Sequence, residues 1–265
     1  MTDTKETTAP DTRTIVLERE VPATPEEVWR VLTTADGLRQ WFPLDAKVEE
    51  RLGGIVWLSW GPGSEGQAPI HVWEPPSRFG WTESHGEDAD GRPIRVAVDF
   101  HVEGRGGSTV VRLVHSGFSA SEEWSAMYDA LVDGWTYFLF NLAFYFLRHR
   151  GARRKLVWRR VATDLARDAV WERLVQAALI GGTAGAGART AEVVIDRART
   201  AEIVSQRAGH HWTATLPDLD QSVFFVEIEG QHVGFWLSTY DMDPARTATL
   251  QTALDERVEA ALAPA

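Results

Sequence analysis

Residues 23–43, ATPEEVWRVLTTADGLRQWFP, open like a helix and stop at a proline, carrying two tryptophans and a phenylalanine with them. Thr24 stands where an N-cap belongs, since its hydroxyl can accept from a backbone N–H of the first turn. Pro25 then takes the first helical position, where a missing N–H is harmless, and Glu26 and Glu27 complement the positive end of the helix dipole. Val28, Val31 and Leu32 share one face, with Trp29 beside them. Trp41 and Phe42 follow after the helical pattern has ended, beside a loop, where burial is hardest to arrange. Rings of that size in that place suit the edge of a cavity.

Outward from this segment, residues 13–21, RTIVLEREV, read as a strand that Pro22 ends, because proline cannot continue a ladder. Residues 46–115 read as a meander of about six antiparallel strands, punctuated by GG at 53–54, GPGSEG at 61–66, EPPS at 74–77, GEDADGRP at 86–93 and GRGG at 104–107. Its clearest strand alternates Ile94, Val96, Val98, Phe100 and Val102 with Arg95, Ala97, Asp99, His101 and Glu103. STVVRLVH and SGF come next, then a long helix predicted to open near Ser121. A bent sheet and a cylinder do not mate along their whole length, so side chains must fill the gap or leave a pocket.

Taken in order, EEVWRVLTTADGLRQWFP, HVWEPPSRFGWT, HSGF and DGWTYFLFNL resemble the START-like helix-grip superfamily, also called SRPBCC. The likeness is strongest to its branch related to the activator of the heat-shock protein 90 ATPase and covers roughly residues 13–147. The resemblance implies an α+β fold, an antiparallel curved sheet around a long C-terminal helix, with an internal cavity for apolar or amphipathic molecules. It extends to lipid carriers, polyketide cyclases and co-chaperone domains, so the fold is shared more widely than any activity.

The second half echoes the first. KLVWRRVATDLARDAVWERL at 155–174 repeats the layout of residues 14–32, placing Val170, Trp171 and Leu174 where Val28, Trp29 and Leu32 fell. Five short strand patterns follow the glycine-rich stretch GGTAGAGA at 181–188, and a helix opens at Asp243 and Pro244 with Leu250, Leu254, Val258 and Leu262 about a turn apart. The doublet RTAEVV and RTAEIV fits a hairpin or one helix. The expected organisation is therefore a disordered tail over 1–12, a helix-grip domain over 13–150 and a shortened, degenerate copy over 156–265, structural or partner-facing in role.

Composition narrows the function. With 27 Lys and Arg against 38 Asp and Glu, a net charge of -11 repels phosphate backbones and argues against nucleic acid as a target. The absence of cysteine excludes disulfides and thiolate chemistry and suits the cytoplasm. Residues 131–147 are nearly all apolar, yet the stretch is short for a span and holds Asp133 and Asn141, so a helix packed on a sheet is expected, with no membrane span. GGTAGAGA lacks the lysine and hydroxyl of a phosphate loop, adjacent His210 and His211 would point to opposite faces of a strand, and neither a cofactor nor a metal is expected. Asp99, His101 and Glu103 could do acid/base work but read as a solvated outer face.

The aromatic set carries the functional reading. Trp41, Phe42, Trp57, Trp60, Trp73, Trp81 and Phe100 come from loop and strands, and Trp135, Phe138, Leu142 and Tyr145 from the long helix. Stiff rings prop a space open as well as fill it. His115, on the strand face of Val111 and Leu113, is the candidate polar group of such a pocket. The expected partner is a small hydrophobic ligand; a protein partner of co-chaperone type, or an enzyme of cyclase or hydratase type using His115, are the alternatives.

Overall fold

The computed structural model describes residues 12–87, 93–181 and 189–263. The tail expected over 1–12 lies outside these, save for Thr12, as does all of GGTAGAGA but Gly181. The chain divides into two compact units, Met1–Leu147 and Arg148–Ala265.

In the first unit, strand β1 (Thr12–Val21) leads into helices α1 (Pro25–Thr33) and α2 (Ala35–Leu38). Thr24 accepts from the Glu27 N–H, and the Glu27 carboxylate accepts from the Thr24 N–H at 2.9 Å, a reciprocal capping box. The meander follows as β2 (Asp45–Val48), β3 (Ile55–Ser59), β4 (Glu65–Glu74), β5 (Arg78–Glu87), β6 (Pro93–Arg105) and β7 (Ser108–Ser119). The sheet order is β1-β7-β6-β5-β4-β3-β2, antiparallel throughout. On β6, Val96, Val98, Phe100 and Val102 are buried, as their alternation predicts.

A short 3₁₀ turn (Glu122–Trp124) precedes helix α3 (Ser125–Arg148), so the long helix begins four residues later than its sequence suggests. Two hydrogen bonds show how it grips the sheet. The Tyr128 hydroxyl donates to the Thr14 carbonyl on edge strand β1 at 3.0 Å. Thirteen residues later, roughly 20 Å along the axis, Asn141 Nδ2 donates to the Trp41 carbonyl, in the segment leading to β2 at the opposite edge. α3 thus crosses from one side of the sheet to the other. Among the described residues it is the helix long and apolar enough to span a membrane by composition, and here it buries Trp135, Leu139 and Leu142.

The second unit repeats this path with fewer parts: β8 (Arg154–Ala162), α4 (Arg167–Gln176), β9 (Thr190–Val194), β10 (Ala198–Arg207), β11 (His211–Leu216), β12 (Ser222–Glu229), β13 (His232–Tyr240) and α5 (Pro244–Leu262). Its order, β8-β13-β12-β11-β10-β9, again pairs the first strand with the last and places the meander beyond them. Among the described residues one helix replaces two, and six strands replace seven. The doublet that fitted hairpin or helix is the β9–β10 hairpin, with Ala198 opposite Val194. Val170, Trp171 and Leu174 of α4 join Phe224, Phe235, Leu250, Leu254 and Val258 in its core. The architecture is α+β, two helix-grip units in tandem, the second a shortened copy of the first.

Candidate functional site

Most of the rings singled out in the sequence come together between sheet and α3. Phe42 is the centre: its ring centroid lies 5.1 Å from Trp41, 5.3 Å from Trp60, 4.9 Å from Trp135 and 4.7 Å from Phe138. Phe100, on β6, extends the group to Trp41, Trp81 and Trp135 at 5.8–6.2 Å. Edge-to-face and offset pairs at such spacings add to plain burial. The segment QWFP explains its own placement: Trp41 Nε1–H reaches the Val31 carbonyl and the Trp41 carbonyl accepts from Asn141, so backbone and ring are both pinned under α3.

Four predicted residues stand apart. Trp73 packs on Trp29 and Phe79 at 5.2 and 5.6 Å, one step from the Phe42 group. Leu142 is fully buried two turns beyond Trp135, and the Tyr145 ring meets Phe146 at 5.3 Å. Trp57 does not join the lining at all. On β3 it alternates with buried Val56 and Leu58, which puts it on the other face, where the Lys47 ammonium lies 4.8 Å over its ring.

His115 is nearly closed to solvent, 3% exposed, on the face of buried Val111 and Leu113. The motif HSGF sets its surroundings. Register between β1 and β7 skips Gly117, pairing Thr14 with Ser116 and Arg13 with Phe118, so Gly117 is a bulge residue. Its φ is +96°, and a Cβ there would stand 2.4 Å from the Arg95 carbonyl oxygen. The bulge turns Phe118 onto the face of His115, ring centroids 4.6 Å apart. The Trp135 indole Nε1–H donates to His115 Nδ1 at 2.8 Å. His115 Nε2 is buried and meets no acceptor among the described residues.

A second polar group on this face escaped the sequence reading. Trp81, Glu83 and His85 alternate along β5; the Trp81 indole donates to the Glu83 carboxylate at 3.0 Å and His85 Nε2 lies 3.2 Å from it. His85 packs on Trp124, and Trp124 on Phe118, so this trio sits by the same rings as His115. Period-two counting from Trp81 would have found it. Burial pushes the Glu83 carboxyl up, but the hydrogen bonds from His85 and Trp81 and the electrostatic pull of the His115 and His85 imidazoles together hold it below the usual carboxylate range. Burial lowers His115 to about 4 against the pull of the Glu83 charge, so His115 is neutral at pH 7.

The outer face of the sheet differs from the solvated surface expected of Asp99. Asp99 is buried, with His71 Nε2 at 3.2 Å and an Arg78 guanidinium N–H at 3.3 Å, and Thr82 Oγ1 lies 3.0 Å from His71 Nδ1. The cross-strand neighbours of β4 and β5 cover it. Among the described residues no group of three or more His, Asp or Glu side chains could hold a metal; His210 is instead contacted by Arg167 and Arg207.

Residues 22–146 match the protein-family model described as Activator of Hsp90 ATPase homolog 1-like protein. No curated protein matches the sequence. Among solved structures, the Aha1 dimer from Colwellia psychrerythraea is similar at 20% identity and a TM-score of 0.45, covering 52% of this chain and 99% of that one. DynU16, from the dynemicin biosynthetic locus, gives 19% and 0.43, covering 94% and 96%. The di-domain ARO/CYC BexL of the BE-7585A biosynthetic pathway gives 16% and 0.44 over the same shares. With the matched segment spanning α1 to α3, and the strand order and gripping helix described above, the N-terminal unit has the START-like helix-grip fold.

Proposed function

We propose that the N-terminal unit binds a small hydrophobic or amphipathic molecule between its sheet and α3, without transforming it. One observation carries this reading: sheet and helix face each other through aromatic rings, Phe42, Phe100, Trp135 and Phe138, with the polar groups of His115 and Glu83 set beside such rings. Flat ring faces can exchange contacts with one another for contacts with an apolar guest, and a few fixed polar atoms then orient it. Native mass spectrometry of the freshly purified full chain is expected to show a retained small molecule, and apolar compounds are expected to raise the melting temperature. A chain that carries no added mass and whose melting temperature does not move across lipid and aromatic panels overturns the reading.

Acid/base catalysis by His115 has less support. Its Nδ1 lone pair is taken by the Trp135 indole, which can only donate, so the neutral ring carries its proton on Nε2 and has no lone pair left to abstract another. A protein partner is favoured by the family description, whose named member activates a chaperone ATPase. Pull-down with purified Hsp90, with and without an apolar compound, separates that reading from ligand binding alone.

A further inference from the structure

We infer that the guest of this site is an uncharged molecule presenting a carbonyl-type oxygen to His115 Nε2–H, rather than a hydrocarbon or a carboxylate; this rests on the binding reading above. The bond from Trp135 fixes the tautomer, so Nε2 carries a hydrogen whatever else surrounds it. That donor is buried with no acceptor among the described residues. A buried donor is ordinarily matched, and one left open beside a ring-lined interior marks the place of an absent acceptor.

The charge of the acceptor follows from the neighbours. His115 is neutral at pH 7 and offers a hydrogen bond but no positive charge. Glu83 stands near enough for its charge to be felt at His115, and it stays ionised because Trp81 and His85 both serve it. A carboxylate brought to Nε2 would meet that negative charge, and His85, the basic group whose field also reaches His115, is already engaged by Glu83 at 3.2 Å. A ketone, ester, lactone or amide oxygen meets neither penalty. A cation would find no use for the open donor. Phe118 at 4.6 Å and Trp135 at 5.9 Å flank the imidazole with ring faces and edges, which favours a flat body behind the oxygen.

Three tricyclic probes of nearly one shape test this on the full chain by quenching of tryptophan fluorescence at pH 7.5: fluorene, fluorenone and 9-fluorenecarboxylate. Fluorenone is expected to bind about tenfold more tightly than fluorene, and the carboxylate more weakly than either. His115→Phe keeps a ring and removes the donor, so it should bring the fluorenone to fluorene ratio to about one while fluorene still binds. A measurement on the unaltered protein guards against a variant that fails to fold: the carbonyl stretching band of bound fluorenone should move to lower wavenumber than in hydrocarbon solvent. Equal binding of fluorene and fluorenone, or an unshifted carbonyl band, overturns this inference and leaves the binding reading standing. Binding of none of the three, with no retained mass in the purified protein, overturns both.

Discussion

The two units follow one path through space and fill it differently. In the first, α3 presents Trp135 and Phe138 to rings from the sheet; in the second, α5 presents Leu250, Leu254 and Val258 to Phe224, Val226 and Phe235. Their buried polar groups differ as well. Arg199, its side chain fully enclosed, is matched by Asp196 at 2.6 Å and Asp218 at 3.0 Å, and Arg246 braces Asp196 from α5 at 2.7 Å. Among the described residues His115 keeps one nitrogen unmatched, and in the second unit the Trp212 indole and the Thr213 hydroxyl are likewise unmatched, though neither titrates near neutral pH. One topology therefore serves two interiors, one holding a fully enclosed arginine in ion pairs and one holding an imidazole against an indole among rings, and it is the interior that sets what a unit can do.

The sharpest way to break this contrast is to unmatch the second unit. Arg199→Met leaves Asp196 and Asp218 without their shared partner and is expected to cost about 4 kcal/mol. Hydrogen exchange read strand by strand should show the loss in β9 to β13, with the first unit unaffected. Equal loss in both, or none, would mean the ion pairs are not what holds the second interior. Next in size is Gly117→Ala, which puts a Cβ against the Arg95 carbonyl at a φ of +96° and should cost about 3 kcal/mol. It should also free Phe118 from His115, read as a change in the His115 ring proton shifts.

Much of this was legible in the residues, and the failures have definite causes. Thr24, Pro25 and Glu27 announce a helix start because capping chemistry is local, and β6 announces itself because one face is buried and one is not. The repeat of V-W-x-x-L at Val28 and Val170 exposed the second copy because helix packing reuses the same spacing. Trp57 misled because an aromatic residue looks like core, whereas Lys47 across the ladder gives it an outward partner. The burial of Asp99 depends on His71 and Arg78 from other strands, which no single-strand pattern contains. Glu83 was passed over because a carboxylate in a strand reads as surface until its indole and imidazole donors are in view. Trp41 and Phe42, expected at the edge of a cavity, are buried among rings instead, and Asn141, whose amide pins the Trp41 backbone, looked like an interruption of an apolar run.

A smaller effect turns the comparison to pH. The folded His115 pKa of about 4 lies below the unfolded value of 6.5, so the unfolded chain binds the extra proton between these limits. Stability owed to a neutral His115 is therefore complete above pH 6.5, falls as pH drops, and is fully lost below about 4. At pH 5 the loss should be about 2 kcal/mol in the first unit. His115→Phe should remove that slope and leave the second unit's pH response unchanged; a slope that survives the substitution would assign it to other groups. Glu83, whose pKa is also depressed, adds its own loss only at lower pH, as the carboxylate is protonated.

The smallest expected effect concerns a device the two units share. Each ends in a helix that reaches back to the backbone of its own first strand, an edge of the sheet whose unpaired N–H and C=O groups invite another strand. In the second unit Gln251 does so with both ends of its amide, accepting from the Trp158 N–H at 3.1 Å and donating to the Trp158 carbonyl at 2.9 Å, as a neighbouring strand would. In the first unit Tyr128 supplies one hydroxyl to the Thr14 carbonyl, and its ring additionally carries the Arg13 guanidinium at 4.6 Å and Phe118 at 5.5 Å. Gln251→Ala is expected to cost about 1 kcal/mol, with faster exchange of the Trp158 amide. Tyr128→Phe, which spares the ring, should cost roughly half that. If the two costs were reversed, the grip of α3 on β1 would rest on the hydroxyl rather than on the ring, and the aromatic interior would reach less far along the helix than its ring contacts indicate.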